Sequence, residues 1–370
     1  MKLEETIKTE YANVNKTTLQ NAKTESSEYL QIFFSLYKKI MLELNSTGSF
    51  WTSNDMIDNC IQRGLKKWTD IETKVEPERM YTKEDIEKFS FQLAEIQNNF
   101  PNNYQGTQFS NYTGLFLSAL INIHHAKTKT TNEYIIHTMQ FDSPLNNLCY
   151  KNTANVRVIG NVGDYFCVEM IFGNVHLEGN SGDYACANMI DGTVQIDGNA
   201  AKNICTQMKE GNVTVKGSTE GCPAHTMYGG NLHIYGNSAG VCTRMEGGTV
   251  TVEGNDTNSC AFRMSGGKLL IKGNVGNYPA FGAHDCYIHI QGNAGDDVGT
   301  EMTNGVLRID GNVGINVGSR LNGGNIYLNG DYESIAQNTH KGRIYVREKQ
   351  VFPYMEDDLF SQIYHHMFKW

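Results

Sequence analysis

Proline and basic residues are the first things this chain is short of. Only 6 of its 370 residues are proline, against 37 glycines. The glycines keep no G-X-Y period, which excludes a collagen-like fibre. Lysine and arginine number 31 against 40 acidic residues, a formal charge of -9. Nowhere do five basic residues follow one another, so the concentrated positive surface that nucleic acid requires is missing and nucleic acid is not an expected partner. Long apolar runs are missing too. GLFLSALINI at 114–123 is well short of the ~20 residues that span a bilayer. The opening MKLEETIKTEYANVN is charged throughout and lacks the apolar centre of a secretory signal. No membrane insertion and a cytoplasmic location are therefore expected. The nine cysteines, at 60, 149, 167, 186, 205, 222, 242, 260 and 286, form no CxxC pair, which favours free thiols in a reducing compartment.

What is present is a repeat. Apolar pairs recur as Val156/Val158, Val175/Leu177, Val194/Ile196, Val213/Val215, Leu232/Ile234, Val250/Val252, Leu269/Ile271, Ile288/Ile290, Leu307/Ile309 and Ile326/Leu328, with Ile344/Val346 as a final rung. Each of the first ten is followed by a glycine, from Gly160 to Gly330, at steps of 19 residues with one step of 18 between Gly236 and Gly254. A unit this short holds a strand and two turns. It cannot bury its apolar face alone, so neighbours must stack. Residue i then lies over residue i+19 at about 4.8 Å, the spacing of paired strands. The expected fold is mainly β: a single-stranded right-handed parallel β-helix of about ten to eleven 19-residue coils, preceded by a small α-helical domain. A dinucleotide-binding reading of the Gly-rich phrase fails, because that fingerprint needs a helix after the glycines. Here another short strand follows, coil after coil.

Three ladders share the period. Met170, Met189, Met208, Met227, Met245, Met264 and Met302 fall in one register, with Ala283 and Leu321 in the two vacant places. Methionine fills irregular core gaps, so a buried ladder is expected, against a soft-metal or cofactor role. Asn161, Asn180, Asn199, Asn237, Asn255, Asn274, Asn293 and Asn312 follow the strand glycine, with Ser218 and Asp331 substituting. Their amides can bond one another and the turn backbone, and the adjoining glycines are expected to supply positive φ. Cys167, Cys186, Cys205 and Cys242 form a third column shared with Ala224, Ala261, Ala280, Gly299 and Gly318. That alternation reads as a slot limited by size, against a thiol stack binding a soft metal or forming a disulfide between adjacent rungs.

The units GTEMTNGVLRIDGNVG at 299–314 and GSRLNGGNIYLNGD at 318–331 resemble the GXGXG β-helix family. Its members include the C-terminal domain of the glutamate synthase large subunit and the β-helical subunits of formylmethanofuran dehydrogenase and of the formyltransferase/hydrolase complex. The resemblance covers residues 150 to 346 and implies a scaffold beside catalytic subunits, with no catalytic residues to carry over. The cysteine column departs from the family's glycine register.

The expected organisation is a mostly helical region at 1–142, the β-helix at 143–349 and an amphipathic capping or docking helix at 350–370. Helices are expected over 27–44, from Thr52 or Ser53 through residue 68, after the cap-like Thr82, and from Gly114. A polar loop is expected at 99–113 and a strand in EYIIHTMQF. In the last segment Leu359, Ile363 and Met367 fall four apart, with Phe360, Tyr364 and Phe368 beside them.

No catalytic, cofactor-binding or metal-ligating set emerges. His225 and His284 lie in turns; His176, His233 and His289 alternate outward on strands; His176 and Asp183 are a candidate surface pair beside Asp164, Asp296 and Asp297. The outward strand residues form no carboxylate wall of the kind glycan cleavage needs. The expectation is a non-catalytic scaffold or interaction subunit of a multisubunit metabolic enzyme, with no cofactor, another protein subunit as partner, a homo-oligomer as a further option, and Tyr235, Tyr287 and Tyr327 as the surface to inspect. A carbohydrate-active or glycan-binding β-helix and a stand-alone adaptor using the helical region stay open as alternatives.

Overall fold

The computed structural model describes residues 28–46, 59, 61–63, 81–97, 107–257 and 259–353. Helices come first, with residues 59 and 61–63 also helical; those with described bounds are α1 (Glu28–Ser46), α2 (Lys83–Gln97) and α3 (Thr107–Thr128). Strands follow as β1 (Tyr134–His137), β2 (Val156–Ile159), β3 (Asn174–Glu178), β4 (Thr193–Ile196), β5 (Ala200–Lys202), β6 (Asn212–Val215), β7 (Thr219–Glu220) and β8 (Asn231–Ile234). They continue as β9 (Thr249–Val252), β10 (Lys268–Ile271), β11 (Tyr287–Ile290), β12 (Val306–Ile309), β13 (Asn322–Leu328), β14 (Lys341–Val346) and β15 (Lys349–Phe352).

The chain is a parallel β-solenoid of about eleven coils with a small helical region at its N-terminal end. One sheet of 13 strands runs its whole length, and β5 and β7 make a small second sheet. The register is that of the repeat: Val175 sits over Val156, Val194 over Val175 and Val213 over Val194. Alternation along each strand then sends the apolar pair inward. Strands β4, β6, β8, β10 and β11 all show exposed or half-exposed residues alternating with buried ones. The sheet begins earlier than the first Val-x-Val pair. Tyr134 of β1 pairs with Val156 of β2, so the first rung lies on the N-terminal side of residue 143.

The helices close that end. Helix α2 opens with a reciprocal cap: Thr82 N donates to Asp85 Oδ2 at 2.9 Å, and Asp85 N to Thr82 Oγ1 at 3.2 Å. Helix α3 starts at Thr107, so residues 107–113 are helical and not part of the expected polar loop. Tertiary contact overrides the weak helix propensity of Ser110, Asn111 and Thr113. Thr113 Oγ1 is hydrogen-bonded to Tyr37 Oη at 2.7 Å, and Tyr112 is buried. Gly114 is needed where α3 crosses the chain entering the first full coil, since a Cβ there would lie 1.9 Å from Asn146 O. Apolar side chains of helices and coils form one continuous core.

At the other end, β15 turns back antiparallel to β14. Residues 349–352, expected to enter a helix at 350, are therefore a strand. The apolar stripe on Leu359, Phe360, Ile363, Tyr364, Met367 and Phe368 lies outside the described residues, as does most of the helix expected from residue 52. Among the described residues no helix is long and apolar enough to cross a membrane.

Candidate functional site

Each coil has a strand, the Gly-Asn corner, a stretch of left-handed backbone, the methionine, and a second glycine corner. The left-handed stretch is the feature that periodicity does not announce. In the third coil Tyr184, Cys186 and Asn188 have φ of 59, 56 and 54°. Equivalent triplets include Asn203, Cys205 and Gln207, and Cys222, Ala224 and Thr226. A non-glycine residue there costs roughly 1–2 kcal/mol. Coil-to-coil hydrogen bonds offset that: Tyr184 N donates to Lys202 O, Cys186 N to Phe166 O and Asn188 N to Thr206 O, at 2.7–2.8 Å.

The methionines Met170, Met189, Met208, Met227, Met245, Met264 and Met302 are all fully buried. Several reach beneath a glycine of the following corner. A Cβ on Gly192 would lie 2.7 Å from Met170 Cε, and one on Gly211 2.8 Å from Met189 Cε. These are also the corners with left-handed glycines, φ being 111° at Gly192 and 98° at Gly211. The glycines before the asparagines play a different part from the one expected. Apart from Gly160, they do not have positive φ. They are glycine because the coils touch there: a Cβ on Gly179 would lie 2.3 Å from Gly160 O.

The asparagine ladder is continuous, with each side-chain oxygen accepting the backbone N–H of the next coil. Asn180 N donates to Asn161 Oδ1, Asn199 N to Asn180 Oδ1, Asn274 N to Asn255 Oδ1 and Asn312 N to Asn293 Oδ1, at 2.7–2.8 Å. Ser218 keeps the chain unbroken through its hydroxyl, which accepts from Asn237 N at 3.0 Å. Asn255 accepts through Oδ1 from Asn274 and donates through N to Asn237 Oδ1. Turn aspartates do similar work: Asp183 Oδ1 accepts from Lys202 N, and Asp296 Oδ1 from Ile315 N.

His176 and Asp183 are each bonded elsewhere. The histidine instead meets Asp197 of the next coil, Nε2 to Oδ2 at 2.7 Å, with Gln195 Nε2 donating to Asp197 Oδ1. His233 meets Glu253 at 2.8 Å, and Lys272 shares that carboxylate. His289 meets Asp310 at 2.7 Å, with Arg308 and Asn329 on the other oxygen. Burial opposes ionisation of Asp197 and Asp310, yet the hydrogen bonds from Gln195, His176, His289 and Arg308 hold both carboxyls below their ordinary value. The three pairs stand three coils apart on one flat face, and between them Thr214, Thr251 and Leu270 interrupt the array. His225 and His284 lie in the turns, bonded to the neighbouring Thr226 and Asp285. Among the described residues no three His, Cys, Asp or Glu side chains converge on a common metal position.

Of the three tyrosines, Tyr235 and Tyr287 are both exposed, and the Tyr235 ring is stacked on His233 at 4.3 Å with Lys216 Nζ 4.1 Å from the centroid. Tyr327 stacks on Tyr345 at 4.7 Å. The more continuous apolar surface lies elsewhere. Ile171, Ile190 and Tyr228 occupy the column just after the methionines, with Lys209 between them. Phe172, 49 % exposed, adjoins them, and its ring centroid lies 6.1 Å from that of His125 of α3. Further along, the same column reads Glu246, Ser265, His284 and Thr303. The period alone is enough to find this column, because it is the residue after each methionine. A shallow groove of about 370 Å³ lined by Asn180, Ser181, Asn199, Ala200, Ser218 and Glu220 lies at the Gly-Asn corner of the same half.

The short coil between Gly236 and Gly254 has its own device. Its corner lacks one residue near Gly240, and Asp256 of the next coil fills in: it accepts from Gly240 N and Val241 N at 3.2 Å and from Ser238 Oγ. Burial pushes this carboxyl up to about 6 despite those three donors.

The fold and these surfaces define a capped parallel β-solenoid protein. Comparison with protein-family models found no matching family, and comparison with curated proteins and with solved structures found no match.

Proposed function

We propose that the protein is a non-catalytic scaffold whose N-terminal half docks another protein. The observation that carries this reading is the exposed apolar cluster Ile171, Phe172 and Ile190, with Tyr228 beyond Lys209 in the same column, placed beside α3 and giving way to polar residues farther along the same corner. Contiguous apolar surface with a polar surround is what protein interfaces present. The stiffness of the solenoid suits it to holding a partner at fixed distance from the helical end. The GXGXG resemblance suggests the kind of assembly: a multisubunit metabolic enzyme handling formyl groups or related to glutamate synthase. A glycan-binding reading has one specific support, the amide- and hydroxyl-lined groove at Asn180, Asn199 and Ser218.

The test is purification from the native source with neighbours attached, beside the variant I190D/Y228D. Stoichiometric recovery of an enzyme subunit with the wild type, lost in the variant and retained in Tyr287→Ala, is the expected result. A chain that comes out alone and binds oligosaccharides through Asn199 would overturn the scaffold reading.

A further inference from the structure

The left-handed stretch brings together thiols that the strand register alone does not join. Cys167, Cys186 and Cys205 are successive members of one column, and Cys149 extends it by one coil on the N-terminal side. All four have left-handed backbone, with φ between 54 and 63°, and all four are buried and free. Backbone bonds clamp the coils that carry them: Cys167 N to Leu148 O, Cys186 N to Phe166 O and Cys205 N to Ala185 O, at 3.0, 2.7 and 2.9 Å. The column sets their thiols beside one another in the order 149, 167, 186, 205. Further on, the column holds Ala224, Cys242, Ala261 and Ala280, so Cys242 has no thiol directly above or below it in the column, although Cys260 and Cys286 lie near it.

We propose that this column is a linear two-coordinate site for a soft monovalent d10 cation, Cu(I), with one ion bridging Cys149 and Cys167 and a second bridging Cys186 and Cys205. The proposal is independent of the scaffold reading. Its basis is spacing. With the zinc–thiolate length of about 2.3 Å as a guide, a linear ion joins two sulfurs about 4.6 Å apart, close to the ~4.8 Å between stacked strands. A stack offers two ligands per gap and no more, which excludes the tetrahedral set zinc requires. Thiolate softness then selects Cu(I) among the first-row metals. The neighbouring groups are soft as well: Met170, Met189 and Met208 follow three residues after Cys167, Cys186 and Cys205 in the same coils. Each ion displaces two thiol protons to solvent and forms two metal–sulfur bonds, with no change in oxidation state. Affinity therefore rises with pH.

The full chain, reduced and anaerobic, is equilibrated with Cu(I) presented as its bicinchoninate complex, both natively and by refolding from denaturant in its presence. Alanine already occupies this column at 224, 261 and 280, which makes cysteine-to-alanine variants conservative. Relative to the wild type, Cys186→Ala is expected to bind one ion fewer, C167A/C186A two fewer and Cys242→Ala the same number. X-ray absorption should show two sulfur neighbours per copper. Equal copper in all four proteins, an equal loss in C242A, or failure of the wild type to take copper from the chelator by either route would overturn the site.

Discussion

The helical end and the solenoid solve the same burial problem with opposite materials. The helical core is aromatic and individual. Phe33 meets Tyr81 edge-on at 5.0 Å, Tyr37 meets Phe116 at 5.3 Å, and Phe89 touches Phe33, Phe34 and Phe116. Polar groups in it are matched individually, as in Tyr81 Oη to Leu120 O and His124 Nδ1 with Tyr134 Oη. The solenoid core is aliphatic and repetitive, and each contact recurs in the next coil. A defect in the first core has no equivalent neighbour to share it, whereas a defect in the second is flanked by intact copies. Nearest-neighbour stacking of this kind makes solenoid stability a sum over coils.

The sharpest way to break that contrast is Phe89→Ala. The ring is fully buried among four others, and truncations of this type cost about 3–5 kcal/mol. The paired change in the solenoid, Met208→Leu, keeps volume and should cost less than about 1.5 kcal/mol. Denaturant unfolding followed by tyrosine fluorescence checks both. Equal losses would mean that the two regions respond alike.

A second prediction concerns pH, and it belongs to the solenoid. Asp256 has its carboxyl raised to about 6, above the ordinary 3.8, by burial. A raised acid favours the folded state when protonated. Its contribution is full below about 3.8, falls away as pH rises through about 6, and is gone at neutrality. The two values differ enough to be worth at most on the order of 3 kcal/mol. The stability of wild type relative to Asp256→Asn should therefore increase as pH falls from 7 to 4. A difference that stays flat over that window, measured by thermal unfolding at each pH, would remove the assignment.

Gly192→Ala comes next. Its φ of 111° and a Cβ position 2.8 Å from the backbone oxygen of Gly173 leave the methyl strained, and strain of this kind costs about 1–3 kcal/mol. Cys205→Ala, in a neighbouring left-handed position that already carries a Cβ, should cost less than the glycine change, since only a sulfur is lost. Reversal of that order in urea unfolding would show that the left-handed columns, not the glycine corners, limit the coil.

The strands are legible because an apolar pair repeated over ten coils outweighs any single residue. The same redundancy hides other things. Tyr184, Asn188, Gln207 and Arg244 carry no common chemistry, so nothing in their side chains marks the left-handed backbone they share. Cys149 escapes the period because it precedes the first Val-x-Val pair, at a step of 18 from Cys167. Asp256 cannot be read as a partner for the shortened corner, because that role depends on which N–H groups the missing residue leaves exposed. In the helical region the start of α3 differs from expectation for the opposite reason: one buried contact, Thr113 with Tyr37, decides it. The candidate surface is half visible. Tyr235 alternates outward as expected, but its ring is shared by His233 and Lys216, while no strand alternation marks the apolar corner beside Phe172.

The smallest expected effect tests the redundancy most directly. Asn199→Ala removes one acceptor, the Oδ1 that takes Ser218 N at 2.8 Å, and leaves intact the bond from Asn199 N to Asn180 Oδ1. Water can reach the freed N–H, since Asn199 is on an exposed corner, so the loss should be about 0.5–1.5 kcal/mol. If coils share load only with their neighbours, Asn199→Ala combined with Asn293→Ala, five coils away, should be additive within about 0.5 kcal/mol. Asn199→Ala with Asn180→Ala, which removes two consecutive links, should depart from additivity. Additivity in both pairs would make each link independent, and the ladder would then be a row of separate caps.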